Sequence, residues 1–186
     1  MKKLLSIGLI AGLAMAGNFY VGAGADITGS GTRTYDDGYN SVDIDFDRTD
    51  TFFAVGYKYD GNKRIELEYR NITVKNENNS DDKDDITSIG VNFIIHRHNP
   101  IWRLKPYLKT TIAYVENDVT YTDITGSETG ASGIGFGLGL GTYVEITKKI
   151  ELSINYNFRV HIYEDIKGIS TSDRMGGIEI GGYYHF

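Results

Sequence analysis

The last twelve residues of the chain, from Met175 to Phe186, alternate between two kinds of side chain. Counting back from Phe186, every second position is apolar or small, and the other positions include Glu179 and His185. A period of two is the pattern of a β-strand with one apolar and one polar face. Chain ends usually fray into water, so a strand that stops on an exposed aromatic is unusual for a soluble domain. The pattern favours a strand whose apolar face meets something other than water.

The first sixteen residues have the pattern of a secretory signal. Two lysines follow the initial methionine, and an apolar run then extends from Leu4 to Ala16, closing on the triplet Ala-Met-Ala. Small residues at these positions are typical of a cleavage site, and the run is shorter than the roughly 20 residues that a spanning helix needs. We therefore predict a signal peptide at 1–16 and one mature domain at 17–186.

Composition excludes several classes of protein. Removal of the signal peptide changes the formal charge from −6 to −8, because two lysines are lost. An acidic chain lacks the basic face that nucleic acid requires. The sequence has no cysteine, so an exported protein of this kind cannot depend on disulfides. Its 23 glycines, 14 tyrosines and only 2 prolines suit a strand-rich chain with aromatic belts.

At a period of two, the mature chain divides into eight candidate strands. We predict them at about 18–28, 51–60, 64–74, 86–96, 106–116, 133–146, 150–162 and 175–186. In the third strand, Ile72 and Val74 change parity relative to Ile65 and Leu67, which predicts a bulge near Asn71. The alternation of apolar and polar residues is clearest in the seventh strand.

The connections between these strands alternate in length. Long polar segments at 29–50, 75–85, 117–132 and 163–173 follow the odd-numbered strands, and shorter ones lie at 61–63, 97–105 and 147–149. Short periplasmic turns and long extracellular loops are typical of outer-membrane barrels. A soluble sandwich would show the same alternation. Strand length, the even strand number, the signal peptide and the terminal aromatic together predict an all-β, eight-stranded antiparallel up-and-down transmembrane β-barrel, with both chain ends in the periplasm.

The whole mature chain resembles small outer-membrane proteins of the OmpA-barrel, OmpX and opacity-protein kind. The resemblance rests on the Tyr184-His-Phe186 end, the Lys105-Pro-Tyr-Leu108 start of strand five, and the glycine run at 133–141. It implies a bacterial outer-membrane location, insertion by the barrel-assembly machinery, contact with lipids and lipopolysaccharide, a monomer, and no cofactor. The expected outer-membrane targeting strand contains Ile178, Ile180, Tyr184 and Phe186.

The interior of an eight-stranded barrel is just filled by side chains, and the candidate inward side chains here carry both signs. We predict an internal ion-pair network that consists of Asp26, Lys58, Arg64, Glu66, Glu68, Arg70, Glu145, Glu151, Arg159 and Glu179. A turn at 61–63 would place Lys58 opposite Glu66 and Asp60 opposite Arg64, and opposite charges stabilise such pairs.

Two further features of this interior need an explanation. Glu145 would face Glu151, and since like charges repel, either a cation such as Lys109 or Arg159 lies between them or the strands have a different register there. The alternate glycines of strand six would leave room inside the barrel for bulky neighbours such as Arg or Tyr, or for a small water-filled cavity.

Surface interaction is the predicted function, either adhesion or envelope integrity. The contact surface would be the loop 29–50, in which Tyr35, Tyr39 and Phe46 lie among acidic residues. A loop that only shields the barrel mouth is the structural alternative. A porin-like channel for ions or small solutes is the first functional alternative.

An outer-membrane lipid-modifying enzyme is the second alternative, and we predict no catalytic residues. The lipid A deacylase resembles this chain in size and fold and uses a His-x-Ser motif with a Glu. The nearest candidate here is His161-Ile-Tyr163, which lacks the serine, although Ser153 and Glu179 face inward nearby.

Metal binding is weakly indicated, and we predict no metal site. His96 and His98 alternate at the end of strand four, but no third ligand is evident. The acidic runs 43–47 and 81–85 suit solvated loops, which divalent ions could bridge to lipopolysaccharide phosphates. The run 43–47 resembles the start of an EF-hand loop, but Arg48 stands where that loop needs a glycine. Trp102 is expected at the membrane interface.

Overall fold

The computed structural model describes residues 18–76, 79–97, 102–123, 126–166 and 168–186, and the predicted signal peptide lies outside them. All named elements are strands: β1 (Phe19–Asp36), β2 (Ser41–Asp60), β3 (Lys63–Asn76), β4 (Asn79–His96), β5 (Leu104–Asp123), β6 (Gly126–Glu145), β7 (Ile150–Tyr163) and β8 (Ser170–His185). In the described ranges the chain has no helix with the length and apolar character needed to cross a membrane.

The eight strands form a closed barrel in which each strand pairs with its neighbours in sequence, and β8 pairs with β1. Every pairing is antiparallel, and the seam runs from Tyr20 opposite His185 to Asp36 opposite Ser170. The predicted eight-stranded up-and-down barrel is therefore confirmed. We call the end of the barrel that carries Phe19 and Phe186 the lower end, and the opposite end the upper end.

The lower part of the barrel has an apolar outside and a polar inside, as the alternation in the sequence predicts. On β7, the outward Leu152, Ile154 and Tyr156 are 47%, 46% and 58% exposed. The inward Glu151 and Asn155 are each 2% exposed. Exposed apolar side chains at the same heights on the other strands complete an outward band.

The upper part of the barrel reverses this polarity. On β3, the buried inward positions change from Arg70 to Ile72 and Val74, while the outward positions change from Tyr69 to the exposed Asn71. The inward apolar residues of this part form one buried cluster, the upper apolar core: Phe46, Ile72, Val74, Ile86, Ala113, Val115, Ala131, Tyr163 and Met175. The upper part is thus built like a water-soluble barrel that continues the membrane-spanning one.

The predicted bulge near Asn71 is wrong. The register of β3 with β2 is continuous through Asn71, and Ile72 and Val74 keep the inward parity of Arg70. The apolar residues change parity in the sequence only because the inside of the barrel becomes apolar at this height. A register shift occurs instead in β1, between Asp26 and Thr28, and beyond it the odd-numbered Arg33 faces inward.

Most of the predicted upper connections are strand in the structure. The segment 29–50 belongs to β1 and β2 apart from a turn at 37–40, and β3 and β4 nearly meet across the segment 75–85. The asymmetry between the two ends therefore comes mainly from long strands and not from long loops. These strands were missed because their outward side chains are polar, which makes the sequence resemble a loop.

We predict that Ile72→Ala lowers the free energy of unfolding by about 2–5 kcal/mol, because it opens a cavity in the upper apolar core. The matched control is Asn71→Ala at the next, exposed position, which is expected to change stability by no more than about 0.5 kcal/mol. Urea unfolding of the refolded protein in detergent micelles measures both. Equal unfolding midpoints for the two variants would show that the upper part has no packed core.

Candidate functional site

The barrel interior is the candidate site, and its side chains lie at successive heights. At the lower end, buried aromatic and apolar side chains form the aromatic level: Tyr20, Phe52, Ala54, Ile94, Tyr107, Tyr143 and Tyr183. Tyr107 and Tyr143 stack with ring centroids 4.3 Å apart, and Tyr183 meets Tyr143 edge to face at 5.5 Å. These rings are buried inside the lower end of the barrel.

Arg64 and Glu151 form a buried ion pair within the aromatic level. The Arg64 Nη2 lies 2.8 Å from the Glu151 Oε2, and the guanidinium sits 4.0 Å from the centre of the Tyr143 ring. Glu151 also contacts the Lys105 Nζ at 2.9 Å and the His185 Nε2 at 2.8 Å. One carboxylate therefore gathers cationic or hydrogen-bonding groups from β3, β5 and β8.

Glu145 and Glu151 face each other across β6 and β7, as predicted. The cation between them is neither Lys109 nor Arg159. It is Lys105, whose Nζ lies 2.8 Å from the Glu145 Oε2 and 2.9 Å from the Glu151 Oε1. Because Lys105 opens the neighbouring strand, it reaches both carboxylates at the lower mouth.

Arg70 is the centre of the next height, which we call the ionic level. It is fully buried and contacts three carboxylates on three strands: Glu68 at 2.9 Å, Asp50 at 2.8 Å, and Glu179 in a short contact. A planar guanidinium with five N–H donors suits such multiple pairing.

Arg48 has the same function on the β1 side of the ionic level. It forms a short ion pair with Asp26, approaches Asp50 at 3.2 Å, and donates a 2.9 Å hydrogen bond to the Asn157 side chain. Asp50 therefore lies between Arg48 and Arg70 and links the two groups into one network.

Lys109 and Arg159 complete the ionic level on the opposite wall. The Lys109 Nζ lies 2.9 Å from Glu179, and the Arg159 Nη2 lies 3.3 Å from Glu68. The ionic level then consists of four carboxylates and four cations: Asp26, Asp50, Glu68, Glu179, Arg48, Arg70, Lys109 and Arg159. Their formal charges cancel.

The predicted pairing around the first lower turn is wrong. Lys58 lies opposite Arg64 and not opposite Glu66, and Asp60 lies opposite Lys63. The turn is shorter than the assumed 61–63, which moves the register. Glu66 instead accepts hydrogen bonds from the Tyr20 hydroxyl at 2.8 Å and the Asn92 amide at 3.1 Å. Lys58 is 3.9 Å from Glu151.

The glycine run of β6 makes room for bulky polar side chains from the adjacent strands. A side chain at Gly139 would meet Lys109 and Asn155 at 3.4 Å, and one at Gly135 would meet the His161 ring at 3.0 Å. The glycines are therefore part of the packing around the ionic level.

An ion cluster lies above the ionic level, beside the upper apolar core. Arg33 is 3% exposed and donates from Nε and Nη2 to the two carboxylate oxygens of Asp173, at 2.7 and 2.9 Å. Its Nη1 reaches Asp84 on β4, which is not a neighbour of β1 in the barrel. The Tyr163 hydroxyl donates to Asp173 at 2.8 Å. Arg33 therefore ties opposite walls together across the upper mouth.

Ser153 and His161 do not form a catalytic pair. They are eight positions apart on β7, which corresponds to roughly 26 Å along an extended strand. His161 instead lies 3.4 Å from the Tyr163 hydroxyl, and Glu179 is held by Arg70 and Lys109. The side chains named for a hydrolase are thus engaged elsewhere.

The candidate metal ligands do not form a site among the described residues. His96 is 7% exposed and packs edge to face on Tyr143, and His98 lies outside the described residues. Asp43 and Asp45 lie on β2 and accept hydrogen bonds of 2.7 Å from Thr34 and Thr32, and an extended strand cannot wrap an ion as an EF-hand loop does. In the ranges that the structure describes, no three His, Cys, Asp or Glu side chains converge on a metal position.

Sequence reasoning missed Arg33, Arg48 and Asp50 as interior charges. All three lie in the segment that was predicted as a loop. The signal was present, because charged or aromatic residues recur at every second position of β2 from Phe46 to Asp50. This pattern can be recognised as a strand only when one knows that the inward face changes from polar to apolar along β2.

A closed barrel with an apolar outer band and a charged, neutralised interior is a transmembrane β-barrel of the bacterial outer membrane. The chain matches the family model of the outer membrane protein beta-barrel domain over residues 4–186. It therefore belongs to that family.

Solved structures of outer-membrane barrels resemble the chain in fold. Neisserial surface protein A is 20% identical with a TM-score of 0.60, and the match covers 90% of this chain and 97% of that one. The N-terminal barrel domain of Pseudomonas aeruginosa OprF is 15% identical with a TM-score of 0.47, over 90% and 98%. Ail, the attachment invasion locus protein of Yersinia pestis, is 12% identical with a TM-score of 0.47, over 91% and 99%. A search of curated protein sequences gave no match. At 20% identity, the likeness to Neisserial surface protein A shows the fold alone.

We predict that Arg70→Met destabilises the barrel by about 3–5 kcal/mol, because it leaves buried carboxylates without their cation. The double variant Arg70→Met/Glu179→Gln removes one charge of each sign and is expected to recover part of the loss. Urea unfolding in micelles measures both, with Lys75→Met on the exposed face of β3 as the control. A double variant that is no more stable than Arg70→Met would show that packing, and not charge balance, holds Arg70 in place.

Proposed function

We propose that the protein is a surface-displayed barrel with a closed interior that acts through its upper end by contacting other molecules. The observation that carries this proposal is the upper part itself, which continues the barrel beyond the apolar band with its own apolar core and a polar outside. Such an extension adds nothing to membrane anchoring, so its use lies in what it displays.

The tip of the first hairpin is the best candidate for the contact surface. Tyr39 is 95% exposed and Val42 is 56% exposed, while Phe46, which was expected to join them, is 2% exposed and belongs to the upper apolar core. Exposed aromatic and apolar side chains on a rigid support are typical of recognition surfaces. The proposed contact surface is therefore the tip around 37–42 and not the whole segment 29–50.

Hydrogen bonds within the turn hold this tip in one conformation. The Asp37 carboxylate accepts from the backbone N–H of Asn40 at 2.6 Å and of Tyr39 at 2.8 Å. These bonds lower the pKa of Asp37. Gly38 has a φ of 83°, a conformation that a glycine adopts without strain. A fixed turn loses little conformational entropy on binding, which favours recognition.

In this proposal the upper end faces the cell exterior and both chain ends face the periplasm. The strands extend beyond the apolar band at the end away from the termini, and this extension supports the orientation. Lipopolysaccharide would surround the outer half of the apolar band, and the barrel-assembly machinery would recognise the closing strand with Ile178, Ile180, Tyr184 and Phe186. One protein of similar fold, Neisserial surface protein A, is by its name a surface protein.

The interior geometry supports a barrel that does not conduct. Aromatic rings, a neutralised ionic level and an apolar core follow one another along the axis, and Arg70, Asn92, Tyr143 and Glu179 have no exposed surface. A catalytic role has no support from the positions of Ser153 and His161. We therefore place the function on the outside of the molecule.

We predict that the purified, refolded protein gives a flat current trace in planar lipid bilayers at voltages of either sign. The physical reason is that an ion would have to cross an apolar core and displace paired charges. A porin reconstituted in the same bilayers serves as the positive control. Reproducible single-channel steps from the folded protein would contradict the closed interior.

We predict that Tyr39→Ser/Val42→Thr reduces the adherence of bacteria that display the protein to a monolayer of cultured epithelial cells by about tenfold or more, as loss of central contact residues does. Tyr59→Ser repeats the tyrosine substitution at the lower end, where an external partner has no access. This variant is expected to leave adherence unchanged. Heat-modifiable migration in gels confirms that each variant is folded. Unchanged adherence of the tip variant would exclude the tip as the contact surface.

A further inference from the structure

A pocket of about 280 Å³ lies at the lower rim, where β5 begins and β6 ends. It is lined by Trp102, Arg103, Lys105, Glu145 and Ile146. Lys105 and Glu145 have the inward parity of their strands, whereas Ile146 continues the outward apolar positions of β6 and is 48% exposed. The pocket thus has a charged wall towards the lower mouth and an apolar wall towards the membrane.

The charged wall of the pocket consists of Arg103, Lys105 and Glu145. Lys105 is engaged by Glu145 at 2.8 Å and by Glu151 at 2.9 Å. Arg103 forms no ion pair with any of the residues that the structure describes. Its guanidinium is therefore available to an anion that enters the pocket, and guanidinium groups pair well with phosphate.

Trp102 has an unusual backbone conformation for a large side chain. Its φ of 61° lies in the left-handed region, and its side chain is 84% exposed. Residues in this region are uncommon outside glycine and concentrate at binding sites, where the strain serves to place a side chain. Tyr184 and Phe186 are 42% and 38% exposed at the same end, as expected for an aromatic belt at a membrane interface. The indole is therefore held where phospholipid headgroups lie.

We propose that this pocket binds the phosphate headgroup of an anionic phospholipid in the leaflet at the lower end. Arg103 and Lys105 contact the phosphate, and Trp102 and Ile146 cover the glycerol and the first acyl carbons. A basic pocket beside exposed apolar surface is the arrangement that recognises anionic lipids in other membrane proteins. The Arg103 guanidinium, which has no carboxylate partner among the described residues, selects an anionic lipid over a zwitterionic one.

The sequence itself provides the probe, because Trp102 is the single tryptophan of the chain. The full protein is refolded into phosphatidylcholine vesicles that contain either brominated phosphatidylglycerol or the same fraction of brominated phosphatidylcholine. Bromine quenches indole fluorescence on contact, so the two quenching curves give the relative affinity of the two lipids for the site next to Trp102. We expect phosphatidylglycerol to be preferred by about fivefold, the effect of one uncompensated cation near a membrane surface, and the preference to fall as salt is raised.

Two variants separate a defined pocket from general attraction to a basic rim. Arg103→Gln is expected to reduce the preference to about one. Lys149→Gln removes an exposed cation that lies 5.7 Å from the Tyr184 ring, outside the pocket, and is expected to retain it. Equal quenching by the two lipids in the unmodified protein would overturn the proposal. Equal losses in the two variants would also overturn it, since the attraction would then belong to the whole rim.

Discussion

Charge neutralisation inside the barrel is the constraint on which the rest of the structure depends. A lone charge in an apolar medium is very costly, and eight of them lie at one height in this interior. They are tolerated because every carboxylate contacts a cation from another strand. The glycines of β6 provide the space for these long side chains, and the register of each strand is fixed by the partners that its charges must reach.

The change of polarity between the lower and upper parts divides one barrel into two physical regimes. In the lower part, apolar side chains face the lipid and charged side chains face the interior. In the upper part, polar side chains face the water, and apolar side chains around Phe46 and Ile72 form a core in the interior. The pairing of β1 with β2 extends from the lower part to the turn at 37–40, with a register shift between Ala25 and Gly29, so one sheet supports both the apolar band and this turn.

The sequence predicts the lower part well and the upper part poorly, for a physical reason. Apolar and polar residues alternate from Leu152 to Ile162, and this pattern indicates both the strand and its two faces, because only apolar residues are favourable against lipid. Above the band, water accepts nearly any polar residue on the outside, so the outer face of 41–50 carries little signal. Pairings such as Arg33 with Asp173, 140 positions apart, are beyond local patterns altogether. Lys105 was missed as the bridge between Glu145 and Glu151 because the alternation within one strand does not show which side chain of an adjacent strand contacts it.

The long sequence separation of the ion pairs bears on how the molecule assembles. Arg70 and Glu179 are 109 positions apart, and Arg48 reaches Asn157 over the same distance. A partly assembled sheet would lack Glu179 on β8, which leaves Lys109 without its 2.9 Å partner and Arg70 without one of its three carboxylates. The last part of the charge pairing therefore accompanies closure of the barrel, and non-local pairing of this kind makes that step slow. Without β8 the ionic level would hold four cations and three carboxylates, and this excess charge would oppose entry into the bilayer until the last strand is in place.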